Sequence, residues 1–204
     1  MPDITKANIQ AYDKTAKEYD EWANSYNMQS AYEQFREYMD KTEGVIIDVG
    51  SGTGRDARAL TDSGYEVHGV DLSDNMLQIA KIKARNATFH KMDFRHLEFD
   101  DNHFDGFWAN ASLFLVVRPE LEESIKELYR VTRKGGTGYL SFEEGEGLKI
   151  KEVDKETKKQ QELYSYSEVR DLLKEVGFRV LMTERKEDQK RKGLFWLRYF
   201  VRKV

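Results

Sequence analysis

Three glycines at alternate positions, Gly50, Gly52 and Gly54, stand in the run Asp48-Val49-Gly50-Ser51-Gly52-Thr53-Gly54, directly after an apolar stretch. Glycine lets a chain turn tightly and lets a ligand approach the backbone with no Cβ in the way. This run therefore reads as a ligand-contacting bend. A dinucleotide-binding bend would carry its third glycine at position 55, which is Arg55, and the Lys-Ser/Thr ending of a phosphate-binding loop is missing. A ligand without a pyrophosphate fits better. Asp71 lies 71 − 48 = 23 positions beyond Asp48, about where an acid grips a ribose diol in an open α/β sheet. A carboxylate there accepts two hydroxyl hydrogens through charge-assisted bonds. Asp93 and Phe94 end a later apolar run: the acid suits an exocyclic base amine, and the ring can flank the base. Asn110 ends the next such run, beside the expected crevice.

These residues need elements to hold them. Val45–Val49, Tyr65–Val70, Thr88–Met92, Phe104–Ala109 and Gly138–Phe142 read as short buried strands. Between them, Arg55–Asp62 reads as a helix, Ser73 caps a second through Met76, Leu77 and Ala80, and Pro119 starts a third. The pair Gly135-Gly136 is expected to stop that third helix. Ser165 with Glu168 fits a capping box for another helix, closed by Gly177. Phe178–Thr183 and Leu194–Val201 are the last strands, joined by the charged loop Arg185–Lys192 and hence antiparallel to each other. The alternation predicts an α/β fold: a doubly wound, Rossmann-like, seven-stranded, mostly parallel sheet with its last strand antiparallel. Two parts are expected, an N-terminal helical lid segment at residues 1–43 and a ligand-binding domain at 44–204. Tyr12, Tyr19, Trp22 and Tyr26 recur at helical spacing within the first. The charged stretch Glu143–Gln161 is longer than an ordinary connection, so it is either functional or mobile.

The chain has 204 residues, 33 Lys and Arg against 37 Asp and Glu, and a formal net charge of −4. That balance argues against a nucleic-acid partner. No apolar run approaches the roughly 18–20 residues of a membrane span, and Met1–Lys17 carries no signal-peptide core. With no cysteine, disulfides and thiolate metal sites are excluded, and a reducing, cytoplasmic address is the simplest expectation. His68, His90, His96 and His103 lie in strands or a loop and read as structural, so no metal site is expected.

The glycine run Asp48–Gly54, with Asp71, Asp93-Phe94 and the Asn110 region in this order, resembles the class I S-adenosylmethionine-dependent methyltransferases over about Gly44–Val204. Tyr12–Asp20 also resembles the N-terminal lid helix of small-molecule members. The resemblance implies S-adenosylmethionine as cofactor, with Gly50, Gly52 and Gly54 near its amino-acid part and ribose. Asp71 would hold the ribose hydroxyls, Leu72 and Met76 would line the adenine pocket, and Asp93 and Phe94 would meet the base. Ser51, Thr53 and Asp48 complete the loop. Tyr12 and Tyr19 would close over the methionine end with Arg55 nearby; the alternative is plain packing of the N-terminal helix onto the domain.

The implied reaction is in-line methyl transfer, in which the protein's part is alignment in a dry site and aromatic faces near a cation. Asn110-Ala111-Ser112-Leu113 lacks the proline motif of base and protein-amide N-methyltransferases, which favours a small-molecule acceptor. The acceptor wall is expected from residues 1–30, Ser112–Val117 and Glu143–Tyr166. Family members often carry a His after strand four; Leu113–Val116 stands there instead, leaving the general base unassigned. Two other functions stay open: a non-catalytic cofactor-binding regulator, and an NAD-dependent oxidoreductase.

Overall fold

A computed structural model describes residues 4–204; the first three residues of the 1–43 segment lie outside the described residues. The N-terminal segment folds as α1 (Ile4–Lys14), α2 (Ala16–Asn24) and α3 (Gln29–Met39). Thr15 separates the first two, its hydroxyl bonding back to the Ala11 carbonyl at 2.8 Å. The aromatic stripe therefore crosses a helix break. It is still continuous, with ring centroids 5.5 Å apart for Tyr12–Tyr19, 5.7 Å for Tyr19–Trp22 and 4.8 Å for Trp22–Tyr26.

The sheet is built from β1 (Val45–Val49), β2 (Glu66–Asp71), β3 (Thr88–Lys91), β4 (Phe104–Asn110), β5 (Thr132–Glu143), β8 (Phe178–Glu187) and β9 (Phe195–Lys203), with β6 (Gly147–Glu152) and β7 (Lys158–Leu163) forming a separate hairpin. Its seven strands run in the order β3-β2-β1-β4-β5-β9-β8. The pairings from β3 through β5 are parallel, and β9 alone runs against its neighbours β5 and β8. The order reverses between β1 and β4, so the ligand crevice of a doubly wound sheet belongs at the carboxyl ends of these two strands.

Alternate residues of each strand feed the two faces. Ile46 and Trp108 pack with Phe35 and Met39 of α3 and with Ala57 and Leu60 of α4 (Arg55–Asp62). Ile47 and Phe107 pack on the other face with Ile125 and Leu128 of α6 (Arg118–Val131) and with Val169 and Leu173 of α7 (Tyr166–Val176). The Ser73 hydroxyl caps α5 (Asp74–Lys83) by accepting from the Met76 N–H at 3.2 Å, and Ser165 and Glu168 complete the capping box of α7.

Two sequence expectations change. Helix α6 stops at Val131, before Gly135-Gly136, because the Thr132 hydroxyl takes the Leu128 carbonyl at 2.6 Å while its backbone turns extended. The stretch Glu143–Gln161 is not an irregular loop. Most of it belongs to the β6–β7 hairpin, whose ladder runs from Gly147 opposite Leu163 to Glu152 opposite Lys158.

Candidate functional site

The bend after β1 is set by backbone shape. Gly50, Gly52 and Gly54 have φ of +67°, +52° and +80°, a region that side chains with a Cβ adopt at a cost. Space adds a second constraint, since a Cβ on Gly50 would lie 2.4 Å from Cβ of Ser112 and one on Gly52 would lie 3.3 Å from the Tyr19 ring. The Gly52 N–H donates to one Asp71 oxygen at 2.9 Å, and the Ser73 N–H donates to the other at 2.9 Å. Burial raises the Asp71 carboxyl above its ordinary value, and these two N–H groups oppose the rise.

Around this joint lies a cleft with about 710 Å³ of empty space including its open mouth. Nine of the residues singled out in the sequence line it: Gly50, Gly52, Asp71, Leu72, Met76, Asp93, Phe94, Tyr12 and Tyr19. Asp93 sits there with its carboxylate clamped by Arg95 at 2.5 and 3.0 Å, and Arg95 also reaches Glu120 at 2.7 Å. Burial alone would raise Asp93, but Arg95 brings it below the usual carboxylate range. The cleft also takes in Ser112, whose buried hydroxyl has no hydrogen-bond partner among the described residues. With Leu115 and Val116, Ser112 belongs to a stretch expected in the acceptor wall; all three line the cleft of Asp71, and Leu115 also borders a further groove beside Tyr12 and Tyr19.

Arg55 and Asn110 line a second cleft, which shares Tyr19 and Ala111 with the first. Its walls are rich in flat rings, among them Trp22, Tyr26, Tyr139 and Trp196. Asp48, Ser51, Thr53 and Gly54 line neither cleft and sit in the support behind the bend. Asp48 is buried, and burial followed by the neighbouring Asp56 pushes its carboxyl well above the ordinary value.

Sequence reasoning passed over Asp56, which organises the junction. Its carboxylate accepts from Arg55 at 2.7 and 2.8 Å, from the Asn110 amide at 3.0 Å and from the Tyr32 hydroxyl. Arg55 also donates to the Ala23 carbonyl at 2.9 Å, and Asn110 accepts from Ser141 at 2.7 Å. Five elements (α2, α3, α4, β4 and β5) thus meet on one buried ion pair. Burial alone would raise Asp56, but Arg55, Tyr32 and Asn110 hold it ionised below the usual range. Arg55, standing where a dinucleotide loop has glycine, spends three N–H donors on this network while also lining the second cleft.

Three further contacts tie the N-terminal helices to the rest of the chain. Asp13 accepts from the Ser73 hydroxyl at 2.5 Å and from the Asn75 N–H at 3.1 Å. Asp20 pairs with Lys83 at 2.6 Å. Asn8, 4% exposed, donates to the Gln160 carbonyl and accepts from the Gln160 N–H, each at 2.8 Å, and donates to the Leu115 carbonyl at 3.1 Å. Among the described residues no helix is long and apolar enough to cross a membrane, and no cluster of His, Cys, Asp and Glu could hold a metal ion.

A family model described as a methyltransferase domain matches residues 47–140. An uncharacterized protein of Methanocaldococcus jannaschii is 30% identical over 178 residues, which cover 84% of this chain and 82% of that one. A malonyl-acyl-carrier-protein O-methyltransferase of Salmonella typhimurium is 32% identical over 139 residues, covering 67% of this chain and 53% of the enzyme. The chain thus spans most of the archaeal relative but about half the length of the Salmonella enzyme. In fold it is similar to the crystal structure of Burkholderia thailandensis 1,6-didemethyltoxoflavin-N1-methyltransferase with bound 1,6-didemethyltoxoflavin and S-adenosylhomocysteine. That match has a TM-score of 0.77 and 20% identity, covering 98% of this chain and 89% of that one.

Proposed function

The chain belongs to the class I S-adenosylmethionine-dependent methyltransferases, and from that premise we propose that it methylates a small-molecule acceptor by in-line displacement. The observation that carries this reading is the joint between the glycine bend and Asp71, set in a cleft lined by Leu72, Met76, Asp93 and Phe94.

The residues suit the cofactor. Asp71 is oriented by two backbone N–H groups, and its remaining lone pairs are available to a pair of ribose hydroxyls. Gly50 and Gly52 keep open a cradle that a Cβ would fill, and the Ser112 hydroxyl is an unspent polar group on the same wall. Leu72, Met76 and Phe94 supply apolar surface for a base. S-adenosylmethionine, when bound, supplies an activated methyl group on a cationic sulfonium.

The chain's own part is positioning. Tyr19 and Ala111 border both clefts, so transfer is assigned to their junction, with the acceptor in the ring-walled second cleft. Burial pushes the Tyr19 phenol up to about 12. Tyr19 therefore stays a neutral hydroxyl near pH 7, with an aromatic face that favours a cation and no tendency to act as a base. Asp56 is held ionised by Arg55 and has no free edge for a proton. This arrangement suits an acceptor that arrives as an anion or a neutral amine, for which alignment and exclusion of water suffice.

Calorimetry with S-adenosylmethionine and S-adenosylhomocysteine tests the first half of the proposal, and release of S-adenosylhomocysteine across a panel of small acceptors tests the second. Binding of both nucleosides with turnover on a small acceptor is the expected result. Binding of NADH with no affinity for either nucleoside would overturn it.

A further inference from the structure

The hairpin of β6 and β7 turns one face toward the lid helices, and that face is basic. Lys151 on β6 stands directly opposite Lys159 on β7, and Lys149 stands opposite Gln161. All four line a groove whose other wall is Tyr12, Thr15, Glu18, Tyr19 and Trp22. Like charges directly opposed across a strand pair repel and destabilise it, so the carboxylates that could balance them matter.

Most of the neighbouring acids are already engaged, while Glu18 on the facing wall acts on Lys159 from beyond ion-pair distance. Glu143 takes Lys149 at 2.5 Å and Gln161 at 2.9 Å. Asp188 takes Arg191 at 2.7 Å, and Glu152 takes Lys158 at 3.3 Å. Lys159 is left with the Thr15 hydroxyl at 2.8 Å and the face of Tyr12, 4.0 Å from the ring centroid. Among the described residues neither Lys151 nor Lys159 makes an ion pair. Burial, and after it the charge of Lys151, lower the Lys159 ammonium to about 8. A half-buried cation facing a second cation, with Glu18 too distant to form an ion pair, is an unfinished arrangement that an anion would complete.

We propose that this groove seats a carboxylate or phosphate group carried by the methyl acceptor, held between Lys151 and Lys159. The inference rests on the methyltransferase reading and narrows its acceptor to an acidic small molecule. Continuity of the walls supports it: Trp22 borders both the groove and the ring-walled cleft, and Tyr19 borders these two and the cleft of Asp71. A molecule with its acidic end in the groove reaches the junction past Trp22. The chain's net charge of −4 suits a small acid and not an extended polyanion.

The test titrates the ¹⁵N-labelled full chain with benzoate, phenyl phosphate and benzamide, with and without S-adenosylhomocysteine, following the amide signals of β6 and β7. The acids are expected to shift Lys151 and Lys159 with midpoints at least ten-fold lower than neutral benzamide. Comparing benzoate with phenyl phosphate tells carboxylate from phosphate. Lys151→Gln, which breaks no hydrogen bond, is expected to weaken the better acid at least five-fold, while Lys159→Arg, which keeps the charge, is expected to retain it. Equal midpoints for acid and amide, or an unchanged midpoint in Lys151→Gln, would overturn the proposal. Calorimetry with S-adenosylhomocysteine on the same samples separates the two readings. Intact nucleoside binding without an acid response removes the anion seat alone, and an acid response without nucleoside binding removes the cofactor assignment alone.

Discussion

Gly52 donates its backbone N–H to the Asp71 carboxylate across 2.9 Å, so the tip of the β1 bend and the acid that ends β2 are one mechanical unit. Removing the acid frees that N–H as well as deleting the ribose acceptor. Asp71→Ala should weaken S-adenosylhomocysteine binding by ten- to a hundred-fold in calorimetry, since hydrogen bonds to a charged group contribute about 1.5–3 kcal/mol. Retention of wild-type affinity would contradict the ribose assignment.

The two glycines of the bend should fail in different ways. Gly50→Ala meets Cβ of Ser112 at 2.4 Å, whereas Gly52→Ala meets only the Tyr19 ring at 3.3 Å. Both are strained at positive φ, a cost of about 1–3 kcal/mol each. Gly50→Ala is therefore expected to show the larger fall in thermal midpoint, while Gly52→Ala loses nucleoside affinity because Tyr19 must move. Equal melting of the two variants would count against this ordering.

Asp56 neutralises a largely buried guanidinium that, among the described residues, has no other acidic contact at hydrogen-bond distance. Asp56→Ala leaves Arg55 charged and uncompensated, which for a broken buried pair costs about 3–5 kcal/mol. Urea unfolding should register that loss. A double variant with Arg55→Met should recover part of it, because the orphaned charge is gone. No recovery would mean that Tyr32 and Asn110, and not Arg55, set the value of Asp56.

His90 lies 3.1 Å from His68, ring stacked on ring. Burial, and next the charge of His68, lower the His90 pKa from its ordinary value. A histidine lowered on folding binds its proton more readily when unfolded, so its contribution to stability is present above about pH 6.5 and is lost as pH falls below that value. The urea midpoint should drop between pH 7.5 and pH 5.5, and the drop should shrink in His90→Gln. Parallel profiles for the two proteins would exclude His90 as the cause.

The parts of this site that could be read in the chain were those with local causes. The run Asp48–Gly54 announces its bend because glycine tolerates the backbone there, and Asp71 ends a strand that buries Val67 and Val70. Ser165 and Glu168 form their cap three residues apart. What escaped notice depends on distant partners. Asp56 acquires its role from Tyr32 and Asn110, on other elements. The hairpin strands Gly147–Glu152 and Lys158–Leu163 are mostly polar or charged, and the short Leu148–Ile150 alternation faces no core, both residues being exposed; their pairing shows only in the ladder.

Asn8 reads the main chain of Gln160 as a neighbouring strand would, 152 residues away. Helix α1, which carries Tyr12 over the cleft of Asp71, therefore cannot swing out on its own. Departure would leave the Gln160 amide, its carbonyl and a buried carboxamide with nothing to bond, unless water enters or the hairpin follows. On the cofactor site proposed above, the passage of the nucleoside under Tyr12 would be tied, through Asn8 and Gln160, to the strip of chain that carries Lys151 and Lys159.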